Sequence, residues 1–237
     1  SSSLVAMDAA VKDLRAGIID RAIVSGVSLT LDPSKNQVFN AFTMLSPDGI
    51  CYTFDTRANG YCRSEGIVTV ILESDRVADY GYCKILGTSV NSDGYKEKGI
   101  TYPSADDQAR NALNCFEKNN IDIESIKYIE AHGTGTIAGD LNELKGLASI
   151  FTMKNNIPIG SIKSCIGHCE GASGLMSVVK CLLMFEHQKL IPNQNFEKTE
   201  HPMLLDGTFK VVTKVEDWEL GNICISNYGF GGTKKYS

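Results

Sequence analysis

No apolar run in the sequence approaches the ~20 residues that a membrane-spanning helix needs, so no membrane span is expected. Positive charge is not in excess: 23 Lys and Arg stand against 28 Asp and Glu, a net charge of −5. That balance argues against nucleic acid or an anionic membrane as a partner. There is no short-period repeat, no low-complexity tract and no obvious flexible linker, which excludes solenoids and tethered arrays. No signal peptide precedes the first helical pattern. An initiator Met is also absent; the opening SerSerSerLeuValAlaMet is already a helix start, so the sequence reads as cut. Without a secretory signal, the eight cysteines (51, 62, 83, 115, 165, 169, 181 and 224) are expected as reduced thiols in a cytoplasmic protein.

What is present is ordinary for a globular chain: 237 residues, 43% hydrophobic and 22% charged. That length builds one large or two small domains. Leu4, Met7, Val11 and Leu14 share one face of a helix over 2–16, and Gly17 is its stop. Apolar strands are expected at 22–27 and 67–72, with a loop-rich stretch at 30–65 between them. A strand at about 83–91 precedes a polar loop at 92–105. Ala109, Ala112, Leu113 and Phe116 form the inner face of a helix over 106–119. Further strands fit 127–131, 157–162, 209–213 and 222–227, and helices fit 140–151 and 172–187. The alternation of strands and helices argues for a layered α/β fold.

Three segments carry candidate chemistry. In GluAlaHisGlyThrGlyThr (130–136), a strand ends at His132 and glycines 133, 135 and 139 shape the turn before Asp140. The residues allow a tight turn with a surface histidine, a loose dinucleotide loop, or a thioester site with Thr134 and Thr136 offering hydroxyls to a polar arm. In LysSerCysIleGlyHis (163–168), Lys163 and His168 stand five residues apart, with Glu170 beyond. Cys165 and Cys169 bracket His168, but a fourth ligand at standard spacing is missing, so no metal is expected. SerAsnTyrGlyPheGlyGlyThr (226–233) reads as a Gly-rich hairpin, or as a loop aiming an amide at a developing oxyanion.

Six motifs, in order, resemble the β-ketoacyl synthase (ketosynthase) domain of polyketide synthases and animal-type fatty acid synthases, in the thiolase-like superfamily. They are SerSerSerLeu (1–4), MetLeuSerProAspGly (44–49), PheAspThrArgAlaAsnGlyTyrCysArgSerGluGly (54–66), the His132 loop with GlyAsp (139–140) and Glu143, GlySerIleLysSerCysIleGlyHis (160–168), and GlyPheGlyGlyThr (229–233). The resemblance covers essentially the whole chain. Some positions depart from it. Cys165 stands where the family usually has Asn and Cys169 where it has Leu, and ThrLysLysTyrSer (233–237) replaces an Asn-Ala-His-like continuation.

The resemblance implies a duplicated thiolase-like αβαβα fold, N-terminally truncated, with the rest of the first half in 1–78 and the second half in 79–237. It puts the family's nucleophilic Cys just before Ser1. It implies decarboxylative Claisen condensation of acyl and malonyl thioesters in fatty acid or polyketide synthesis. His132 and His168 would hold the malonyl carbonyl, and Lys163 would set their charge state. The Phe230 amide would join an oxyanion hole while its ring gates acyl entry. Thr134, Thr136, Gly231 and Gly232 would contact substrate. No bound cofactor is expected, because substrates ride on the phosphopantetheine of an acyl carrier protein, the expected partner of a homodimeric parent. Two other readings stay open: a non-catalytic ketosynthase remnant or interaction module, and a nucleotide-binding oxidoreductase.

Overall fold

The computed structural model describes residues 2–95, 97, 99, 102–152, 156–230 and 232–237. The chain opens with α1 (Ser2–Arg15), which buries Leu4, Met7, Val11 and Leu14 as the periodicity predicts. β1 (Arg21–Ser28) follows, then α2 (Ser34–Ala41) and β2 (Gly66–Glu73). β1 and β2 pair antiparallel from Arg21 opposite Glu73 to Ser28 opposite Gly66. The expected strand at 83–91 is confined to β3 (Ser89–Ser92).

The second half runs α3 (Ala105–Lys118), β4 (Ile126–Glu130), α4 (Ile137–Ala148), β5 (Ile157–Gly160), α5 (Lys163–Ile166) and α6 (Ser173–His187). It closes with β6 (Lys189–Leu190), α7 (Pro202–Leu205), β7 (Phe209–Val211), β8 (Glu216–Asp217), β9 (Asn222–Tyr228) and β10 (Thr233–Tyr236). Six strands form one sheet in the order β3-β10-β9-β4-β5-β7. β9, β4, β5 and β7 run parallel, and β10 is antiparallel to both neighbours.

Alternate side chains of β4 send the two faces of this sheet into different cores. Ile129 packs with α3 and α4 residues such as Ala112, Phe116 and Leu144. Tyr128 faces Met184 of α6 and Trp218. Beyond that, α1 and α6 bury Leu4, Met7 and Leu175 against Val24, Val68 and Val70 of β1 and β2. The layers are therefore helix, six-stranded sheet, helix and two-stranded sheet. The opposite face of β1 and β2 stays open, with Ile23, Val27, Ile67 and Ile71 all more than half exposed.

Besides the shortened β3 and the short elements α5, α7, β6 and β8, two elements outside the sequence reading are informative. Helix α2 lies in the stretch expected to be loop, and none of its residues is buried, so it lacks the apolar period that reveals a helix. β10 adds a strand through ThrLysLysTyr, whose two lysines are fully buried. Lys234 pairs with Asp93 and Lys235 with Asp8, at 2.7 Å for the latter. All eight cysteines are unpaired thiols. Among the described residues no helix is long and apolar enough to cross a membrane.

Candidate functional site

Three of the parallel strands deliver the three motifs at their carboxyl ends, where ligands bind in open α/β sheets. β4 leads to His132, β5 to Lys163 and His168, and β9 to Phe230.

The His132 loop is held from below by α4. Glu143 accepts the His132 and Gly133 backbone N–H groups, each at 2.8 Å, and the Ser226 hydroxyl at 2.6 Å. Asp140 accepts from the Gly135 N–H at 3.1 Å and the Phe54 N–H at 2.7 Å. Burial pushes Asp140 up to about 7, and the nearby Glu143 charge adds to the effect. Burial also raises Glu143. Asp140 stands in the first turn of α4, where an acid suits the helix dipole, and these bonds give it a second role in holding the loop. They also remove the nucleotide-binding alternative: the amides of 132, 133 and 135 already meet carboxylates, and a pyrophosphate needs such amides free. Gly133 is required here. Its φ is +44°, and a Cβ would lie 2.6 Å from Thr53 Cγ2 and 2.7 Å from Ser161 Cβ.

The His168 loop turns at Gly167, with φ +75°. The segment 51–66 grips it: the His168 N–H donates to the Cys62 carbonyl at 2.7 Å, and the Ser64 N–H to the His168 carbonyl at 3.1 Å. Arg63 pairs with Glu170 at 2.7 Å.

The two imidazoles meet with ring centroids 5.4 Å apart and planes 85° apart. Both rings are partly buried. The Tyr228 N–H donates to His132 Nδ1 at 3.3 Å, and the Glu170 N–H donates to His168 Nδ1 at 3.0 Å. A backbone amide can only donate, so each Nδ1 keeps its lone pair and each neutral ring carries its proton on Nε2. Burial first, and then the Lys163 charge, hold both rings well below the usual histidine range. Near neutral pH the pair is thus two uncharged Nε2–H donors.

Both rings line one cavity of about 360 Å³, whose walls include Thr134, Thr136, Tyr61 and Phe230. The Thr134 and Thr136 hydroxyls are 3.1 Å apart and bond to each other. Phe230 is half exposed and sits edge-on to Phe39 at 6.3 Å. Gly232, φ +102°, also lines the cavity, while Gly231 lies outside the described residues. Lys163 is not on the cavity wall. It is fully buried behind it, and its Nζ has no hydrogen-bond partner. Burial draws its ammonium below the ordinary lysine range, against the opposing pull of Glu130 and Glu143. Among the described residues no group of three or more His, Cys, Asp or Glu is placed to hold a metal.

Sequence reasoning brought His132, His168, Thr134, Thr136 and Phe230 to one place. It missed the residues that orient the rings: Ser226, the Tyr228 amide and the Arg63–Glu170 pair. Ser226 and Tyr228 lie inside the third motif, but nothing in a linear sequence says which ring a backbone amide will meet.

The layered sheet and paired histidine loops define a thiolase-like α/β protein. Its structure is similar to the ketosynthase from module 6 of the bacillaene synthase of Bacillus subtilis, with a TM-score of 0.95 at 38% identity, over 100% of this chain and 45% of that one. The profile of the β-ketoacyl synthase N-terminal domain matches residues 1–78, and that of the β-ketoacyl synthase C-terminal domain matches 82–197. The chain belongs to the β-ketoacyl synthase family. It is 40% identical to the highly reducing polyketide synthase sorA of Penicillium rubens, over 100% of this chain and 10% of that protein. It is also 40% identical to the probable polyketide synthase 3 of Dictyostelium discoideum, over 98% of this chain and 9% of that one. The chain therefore spans about a tenth of these curated relatives and under half of the solved ketosynthase.

Proposed function

We propose that this chain builds the decarboxylating side of a ketosynthase site in polyketide synthesis. The thioester carbonyl of a malonyl-type extender, carried on the phosphopantetheine of an acyl carrier protein, accepts hydrogen bonds from His132 and His168 Nε2–H. The carboxylate leaves as CO₂, and its bonding electrons become an enolate that the two donors stabilise. The enolate carbon attacks an acyl thioester on the family's cysteine, which the resemblance puts just before Ser1. A carbon–carbon bond forms and the cysteine thiolate departs. Lys163 keeps the imidazoles uncharged. Thr134 and Thr136 suit the polar arm, and the Phe230 loop supplies an oxyanion amide and a ring at the acyl entry. The parent works as a homodimer.

The observation that supports this reading is the pair of rings 5.4 Å apart, each locked by a backbone amide at Nδ1 and both lining one cavity. The test is CO₂ release from malonyl-pantetheine by the enzyme that contains this chain. His132→Ala and His168→Ala should each lose about 100- to 1,000-fold, the scale of one oxyanion-hole donor. Acyl transfer to the cysteine should survive. Parent-like release in either variant would make that histidine structural and favour the non-catalytic alternative.

A further inference from the structure

Behind the cavity, on the α6 side of the sheet, lies a buried polar cluster that the histidine chemistry does not use. Lys180 of α6 pairs with Glu130 at 2.6 Å, with both side chains almost wholly inaccessible. Its Nζ also donates to the Tyr128 hydroxyl at 2.8 Å, and that hydroxyl donates to Glu130 Oε2 at 3.0 Å. The other carboxylate oxygen, Oε1, accepts the Ile162 N–H at 2.7 Å. Ile162 is the residue before Lys163, at the start of α5.

A buried ion pair costs several kcal/mol of desolvation per ion unless hydrogen bonds close it on every side, so a triad this complete invites a role. Lys163 is the other buried cation here, and it has no partner, although Glu130 is near enough to favour its charge. Both Glu130 oxygens are already engaged, one by Lys180 and Tyr128 and the other by the backbone that carries Lys163.

We propose that Glu130, Lys180 and Tyr128 are positioning residues for Lys163, fixing the first turn of α5 while keeping Glu130 from capturing the Lys163 ammonium. This rests on the reading that Lys163 acts on the histidine pair. A Lys163 drawn into an ion pair with Glu130 would be shielded from the two rings. Lys180 prevents that by taking the carboxylate oxygen first.

The full chain, labelled with ¹³Cε-lysine, gives the test by NMR titration, with Lys163→Met assigning the resonance. In Lys180→Met the Lys163 midpoint should rise by about one unit or more, the effect of a new opposite charge in contact. Lys180→Arg, which restores a cation, should return it toward the parent value. Glu130→Gln, which keeps the shape, should lower it. An unchanged midpoint in folded Lys180→Met and Glu130→Gln overturns the proposal. Loss of folding in both also overturns it, leaving a purely structural ion pair. The titration needs no turnover, whereas the decarboxylation assay reads only the histidines, so the two readings fail separately.

Discussion

At His132 and His168 the two ring nitrogens divide their labour: Nδ1 is spent on the backbone, and Nε2–H is left for the cavity. Such a ring is a donor but a poor acid, since giving up its proton would leave an imidazolate. It also cannot relay a proton through itself, because the amide at Nδ1 does not exchange roles. Depressed imidazoles make a pH prediction with a definite sign. The unfolded chain protonates these rings near the ordinary value of about 6.5. The folded chain does so only well below it. The unfolded state thus binds more protons, and their contribution to stability is lost as pH falls below about 6.5. Asp140, raised to about 7, acts the other way, its contribution being lost as pH rises toward that value. A difference measurement isolates the histidines. The stability lead of the parent over a His132→Asn/His168→Asn variant should shrink on acidification by up to about 1.4 kcal/mol per ring per pH unit. Urea midpoints at a series of pH values check this, and parallel curves would mean the rings titrate normally.

Among the elements, the turn between β4 and α4 is the least tolerant. Gly133→Ala meets a left-handed backbone and two contacts under 3.0 Å, so a loss of about 1–3 kcal/mol is expected from strain alone. Denaturant unfolding gives the stability, and the His132 ring resonances show whether the loop has moved. This turn also shows what the sequence could say about the site. His132, the glycines and the threonines were legible because turn chemistry is local, and α1 and α3 were legible because their apolar faces repeat at helical spacing. Helix α2 was not, since a surface helix with no buried residue leaves no period to read. β10 was not, because Lys234 and Lys235 look like solvated charge until Asp93 and Asp8, more than a hundred residues away, arrive beside them. The strand placed at 83–91 failed at its start. Tyr82 to Leu86 carry apolar residues, but the ladder with β10 reaches only Ser89–Ser92.

For the molecule as a whole, the open face of β1 and β2 is the main liability. Ile23, Val27, Ile67 and Ile71 stand on one side of a two-stranded sheet, 56–75% exposed. Contiguous apolar surface of this kind on strands with free edges drives association. The isolated chain should self-associate, and Ile23→Thr/Ile71→Thr should reduce this while keeping β propensity. Sizing with light scattering decides, and a monodisperse monomer of the parent chain would contradict the expectation. The segment 51–66 carries a different consequence. It falls within the N-terminal profile match, while both histidines fall in the C-terminal one. Yet Cys62 and Ser64 clasp His168 on both sides, and the Gly60 N–H bonds the Gly135 carbonyl at 3.1 Å. A gene fragment encoding only the second half would carry both histidines without the chain that aims them. Because these bonds run from main chain to main chain, a related segment of the same backbone course could replace 51–66, whereas its removal would leave the His168 N–H and carbonyl without their partners.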